Sequence, residues 1–238
     1  MCFRLILWLL LSLAVHASNN AWGQTPCTWW DVSGDYGLPG PFKIRAELGH
    51  RREGHQVDRN YLETGFEFKA SKQWELGLGY RFQGEGPATD LDHMAHRYHA
   101  QVEFDQKWGD FKGVFRLRHQ WKYTDLLSDA LGTWPDRVTR LKMTCSFRIQ
   151  KDWEGQCGGE VFLPGGTRSG SAAGTLDGFR LFAGVEHELN KRIALQAKFI
   201  WDAPTDDPIR GARVILNAGA SVDVDRWMKS RQKKKSGI

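Results

Sequence analysis

From Trp74 to Phe82 the chain alternates without a break, with Trp74, Leu76, Leu78, Tyr80 and Phe82 on one side and Glu75, Gly77, Gly79 and Arg81 on the other. A period of two is that of an extended strand with one apolar face. The same rhythm recurs along the chain and predicts ten strands, at 41–51, 60–70, 73–83, 96–106, 111–123, 138–150, 155–163, 178–189, 192–202 and 212–224. Each has at least roughly the 9–11 residues with which a tilted strand crosses a bilayer. Every strand has an apolar face, for instance Phe42, Ile44 and Leu48 in the first and Phe115, Leu117 and Trp121 in the fifth. The seventh is the thinnest, with Val161 and Leu163 as its large apolar members.

The connections alternate as well. Ser71-Lys72 and Asn190-Lys191 join strands two to three and eight to nine, and strands four to five and six to seven are joined almost as tightly. These short links read as hairpin turns. The other connections, EGHQVDRN, GEGPATDLDHMA, TDLLSDALGTWPDR, PGGTRSGSAAGTLD and APTDDPIRG, are longer and rich in Gly, Pro and Asp. Short turns at one end and long loops at the other are the plan of an antiparallel transmembrane β-barrel with periplasmic turns and extracellular loops. An even strand count then puts both ends of the barrel in the periplasm.

The apolar run from Phe3 to Val15, preceded by few residues, is too short for a spanning helix and reads as a secretory signal, cleaved after Ala17 or Gly23. Residues 1–23 are therefore expected to be the signal peptide, 24–40 a periplasmic N-terminal segment, 41–224 the barrel and 225–238 a basic periplasmic tail. No other apolar run reaches about 18–20 residues, so a membrane form of this chain must cross with strands. Six of the 33 Lys and Arg residues fall in the tail beside a single Asp, and one more is Arg4. The 26 bases and 27 acids that remain are nearly balanced, so the net charge of +5 belongs to the tail. A basic run of this kind is ordinarily a solvated segment.

What faces away from the apolar side separates a soluble sheet from a membrane barrel. That side holds Arg45, Glu47, Glu63, Glu67, Glu75, Arg81, Arg97, Glu103, Arg116, Arg118, Arg140, Arg148, Glu160, Arg180 and Glu186, with Lys198 and Arg213, interspersed with glycines. A soluble sandwich or lipocalin-like barrel would expose Lys and Thr to water, whereas Arg facing Glu between glycines suits an enclosed lumen. Trp74, Phe82, Tyr98, Trp108, Trp121, Tyr123 and Trp201 stand near strand ends, where interfacial girdles stand.

The order of several motifs carries a resemblance. TWWDVSGDYGLPGPFKIRAELGHR, GLGYRF, HRYHAQVEFDQKWGDFKGVFRLRHQWKY, TRLKMTCSFRI, GGEVFLP and FRLFAGVEHELNKRIALQAKFI follow one another over about Cys27 to Val224. In this the chain resembles the bacterial outer-membrane β-barrel family catalogued as domain of unknown function 2490. That resemblance implies a signal peptide, an antiparallel barrel and outer-membrane residence, and with them outer-membrane lipid and the barrel-assembly machinery as partners. It supplies no catalytic residues. The chain departs from many outer-membrane barrels by closing its last strand near Val222 or Val224 rather than on an aromatic; Trp227 is the nearest.

Several constellations could carry chemistry. The inward charges would either fill the lumen as a plug of Arg/Glu pairs, line a small anion-selective pore or bind an anionic solute; paired charges are the form in which buried charge persists. Asp90, Asp92, His93 and His96 near the barrel rim could activate water, as in omptin-type hydrolases. His93, His96 and His99, three apart, alternate in side along a strand and do not converge on a metal. Ser146, His99 and Asn217 form a lipase-like set of residue types, all on inward faces. Cys145 and Cys157 are equidistant from Lys151, so an antiparallel hairpin would oppose them closely enough for a disulfide or leave them as two small lipid-facing residues. The expectation is a barrel without cofactor, metal or nucleic-acid partner, in a structural, binding or narrow-solute role.

Overall fold

The computed structural model describes residues 27–85, 94–124, 135–165, 178–204 and 212–225. They form a closed all-β barrel of eleven strands: β1 Cys27–Gly37, β2 Phe42–Glu53, β3 Gln56–Lys69, β4 Trp74–Glu85, β5 Met94–Trp108, β6 Phe111–Thr124, β7 Asp136–Gln150, β8 Trp153–Pro164, β9 Gly178–Asn190, β10 Ile193–Pro204 and β11 Arg213–Asp223. Neighbours in sequence are antiparallel neighbours in the wall, so every connection between them is a hairpin or a loop. The segment expected as a signal peptide and all but the first residue of the basic tail lie outside the described residues.

The count of ten is corrected to eleven. Cys27–Gly37, expected as a periplasmic segment, is the strand that closes the barrel, antiparallel to β2 and parallel to β11. Its alternation was legible in Thr28, Trp30, Val32 and Tyr36 against Trp29, Asp31, Ser33 and Asp35, but the paired tryptophans blur the apolar face. An odd strand number also overturns the expectation of both barrel ends on one side. Cys27 pairs with Glu53 at the end where the long connections lie, while Asp223 lies at the end of the tight turns. A second correction concerns EGHQVDRN. It is a tight hairpin at Gly54-His55, with Gly54 at φ 59°, and β3 begins four residues earlier than its apolar pattern suggests. Apart from Val57, residues 56–60 are polar, so no periodicity marked them.

Turn chemistry fits each tight link. Asn190 accepts from the amides of Arg192 and Ile193 through its side chain, and the Ser71 hydroxyl does the same for Gln73 and Trp74. Gly109 takes φ 60° in the β5–β6 turn, where a side chain would be strained.

The two faces of the wall differ completely. Outward positions between the strand ends carry no Asp, Glu, Lys or Arg, and they leave large apolar side chains uncovered: Leu78 is 65% exposed, Leu48 59% and Leu216 58%. Outward aromatics cluster towards both ends, as in Tyr80–Tyr98 and Phe179–Trp201 towards the loops and Trp74–Phe104 and Phe111–Phe147 towards the turns. Inward positions around the middle of the wall are polar and many are buried: Arg81 is 6% exposed and Gln83 fully buried. Glycines make that filling possible. A Cβ on Gly79 would stand 2.2 Å from the His99 ring, one on Gly77 2.9 Å from Gln101, and one on Gly49 2.1 Å from the Tyr61 ring. Each of these large residues is the register partner of its glycine and lies across it. One apolar cluster also faces inward, where Cys27, Phe182, Ile200 and Ile215 pack with Trp29 beside the β1–β11 closure.

Candidate functional site

The inward alternation builds a charged lumen, and its pairing centres on two carboxylates. On β3, Glu63 holds Arg81 at 2.5 Å and Arg118, two strands beyond, at 3.5 Å, with the His99 ring 3.9 Å away. Arg118 has a second partner, since its Nε and Nη2 donate to the Gln101 carbonyl oxygen at 2.9 and 2.6 Å. Arg81 also lies 4.0 Å from Glu47 and 3.9 Å above the Tyr61 ring. The Tyr61 hydroxyl sits within hydrogen-bond distance of both Asp31 and Glu47, and Asn217 donates to Asp31 at 2.5 Å. β1, β2, β3, β4, β6 and β11 are thereby tied together through the lumen.

On β8, Glu160 carries three guanidinium groups. Arg140 grips both of its oxygens, at 2.9 and 2.8 Å, in the fork geometry that favours Arg over Lys. Arg116 reaches it at 3.3 Å and Arg180 at 3.6 Å. Arg180 is shared with Asp202, which also takes Arg213. Aromatic faces carry part of the remaining positive charge: Arg180 lies 4.9 Å from Phe162 and 5.0 Å from Trp29, and Arg51 lies 4.0 Å from Trp29.

Nearer the turns the balance reverses. Arg45 pairs with Asp35 at 2.8 Å and Glu67 at 3.6 Å, and Lys43 bonds Glu67 at 2.6 Å with Glu75 4.0 Å away. Gln101 donates to Glu103 at 3.3 Å. Arg97, Arg148 and Glu186 complete the fifteen inward residues of the charged set. Arg148 lies opposite Glu154, Glu186 opposite Glu154 and Gln196, and Arg97 opposite Arg81.

Between the two carboxylate centres lies a chamber of about 230 Å³. Nine Lys and Arg residues and five Asp and Glu residues line it. Three of the cations, Arg51, Lys142 and Lys198, have no carboxylate within 4 Å among the described residues; Arg51 lies over the Trp29 and Tyr61 rings instead.

The other constellations are placed differently. His96 faces outward and bonds the Tyr80 hydroxyl at 2.8 Å, while Asp90, Asp92 and His93 lie outside the described residues. His99 and Asn217 line the chamber and Ser146 does not, and no hydrogen bond joins the three. Among the described residues no cluster of three or more His, Cys, Asp or Glu is placed to hold a metal. Cys145 and Cys157 are direct register partners on the outward face, and both thiols are free.

Sequence reasoning missed several lumen residues. Lys142 alternates in step with Arg140 and Arg148 and could have been read from that spacing. Asp31 and Asp35 were lost with β1. Tyr61, Phe162 and Phe182 break the rule that aromatics face out, and only their register opposite or beside glycines and arginines explains them.

A closed barrel with an apolar outside and a lumen packed with paired charge defines the class. The chain belongs to the family described as protein of unknown function (DUF2490), whose model matches residues 27–205. No curated protein matches it. Among solved structures it is similar to the NanC porin, at 11% identity and a TM-score of 0.49, over 75% of this chain and 87% of that one. It is also similar to the translocator domain of the autotransporter NalP from Neisseria meningitidis, at 15% identity and a TM-score of 0.44, over 71% of each chain. A third, the siderophore receptor PirA from Pseudomonas aeruginosa, matches at 12% identity and a TM-score of 0.33, over 76% of this chain and 35% of that one.

Proposed function

We propose that this protein is an exported outer-membrane barrel with a closed lumen, and that it binds a small anionic solute rather than conducting freely. The observation that carries the reading is the pair of carboxylate centres, Glu63 and Glu160, which tie non-adjacent strands together through the lumen and leave a basic chamber between them. The outward face supports membrane residence. An uncharged belt of exposed Leu, Phe, Val and Met bounded by aromatics is costly in water and matches a lipid environment. With the tight turns in the periplasm, the N-terminal end of β1 stands on the outer side.

Membrane fractionation and heat-modifiable migration in detergent gels test the first half of this reading. The full-length protein is expected in the outer-membrane fraction, with unheated protein migrating faster than boiled protein. Recovery in the periplasmic soluble fraction with no heat shift would overturn it.

A further inference from the structure

We propose that Arg116, Lys142 and Lys198 form a subsite for a small polyvalent oxyanion of phosphate size inside the central chamber. The inference deepens the reading of the lumen as a closed basic chamber and rests on it. Arg116 and Lys142 are direct register partners on β6 and β7, which places two like charges side by side on the inward face. That arrangement is unfavourable unless a counter-charge stands between or above them.

The nearest candidate is already engaged. Glu160 is the register partner of Lys142 on β8, yet its oxygens are turned to Arg116, Arg140 and Arg180. Lys142 instead stands 4.8 Å over the Phe182 ring. Lys198, on β10, lays its stem over Gly184, where a Cβ would be 2.6 Å from its Cγ. Both lysines line the same chamber as Arg116, whose Nε is buried without a hydrogen-bond partner. A buried cation without a counter-ion is costly, and Lys142 and Lys198, together with the unpartnered Nε of Arg116, offer donors from three strands to one polar cavity.

The size and charge of the ligand follow from this. A chamber of about 230 Å³ is far larger than one water requires and too small for a folded peptide or an oligosaccharide. Charge-assisted hydrogen bonds from two ammonium groups and a guanidinium are best used by an anion with several oxygens and more than one negative charge. Chloride offers one centre and one charge.

The test is calorimetric titration of the purified barrel in detergent with inorganic phosphate, at fixed ionic strength set by chloride. Saturable binding is expected, competed by sulfate. Lys142→Gln and Lys198→Gln should each weaken it about tenfold, the loss of one charge-assisted bond. Lys43→Gln, at the turn end and outside the chamber, should leave the affinity unchanged, and the heat shift of each variant establishes that the barrel has formed. Absence of saturable phosphate binding, wild-type affinity in both chamber variants, or equal weakening by Lys43→Gln would overturn the subsite. A barrel that conducts yet still binds phosphate through Lys142 would remove the closed lumen and keep the subsite. A silent barrel that binds no phosphate would do the reverse.

Discussion

Glu63 and Glu160 are chemically identical, similarly buried and set among arginines, but their surroundings divide the lumen into two kinds of structure. Around Glu63 every cation has a second partner: Gln101 for Arg118, and Glu47 and the Tyr61 ring for Arg81. Around Glu160 three guanidinium groups share one carboxylate; Arg180 also has Asp202 and Arg140 also donates to Gln120 at 3.3 Å, but Arg116 has no second partner among the described residues and Lys142 next to it has no acid. The first arrangement is a strut in which each guanidinium group keeps more than one partner. Uncompensated positive charge makes the second a place where something can bind. Charge type alone would not separate them, because the distinction lies in how many partners each group retains once its neighbours are served.

Removing each carboxylate in turn separates the two centres most strongly. Glu160→Gln leaves three guanidinium groups and a lysine facing one another, and a loss of about 3–5 kcal/mol is expected in urea unfolding from detergent. Glu63→Gln should cost less, about 2 kcal/mol, because Arg118 and Arg81 keep their other partners. Equal losses would erase the distinction. Gly79→Ala tests the strut from its packing side: a Cβ there meets the His99 ring at 2.2 Å, so a loss of about 1 kcal/mol or a little more is expected in the same unfolding assay.

The smallest effect has the opposite sign. Lys142→Met keeps the contact with Phe182 and removes a charge that has no acid partner, so stability measured without added phosphate should hold or rise by up to about 1 kcal/mol. A clear loss would mean that Lys142 is paired and that the Glu160 side is balanced after all.

Much of the wall was legible because membrane-type strands repeat one simple rule. In β4 the apolar residues from Trp74 to Phe82 face out, Glu75 and Arg81 face in, and Gly77 and Gly79 receive Gln101 and His99 from β5. The rule fails where the wall leaves the apolar belt or serves the lumen. Residues 56–60 of β3 continue the ladder with no apolar face, and Cys27–Gly37 is a strand whose adjacent tryptophans face opposite sides. Inside, the identity of the charged residues could be read from alternation, but their pairing could not. Arg118 meets Glu63 across two intervening strands, and Arg116 meets Glu160 across one, contacts that depend on barrel closure and side-chain length. Lys142 was readable as inward. That its register partner Glu160 would turn away from it was not.

The closed lumen is tested most directly by the current through the wild-type barrel in a planar lipid bilayer under an applied voltage. With Arg81, Arg118, Glu63 and Glu160 packed across the lumen, a baseline trace is expected after insertion is verified by heat-modifiable migration of the reconstituted protein. Steady, ohmic single-channel steps would contradict it.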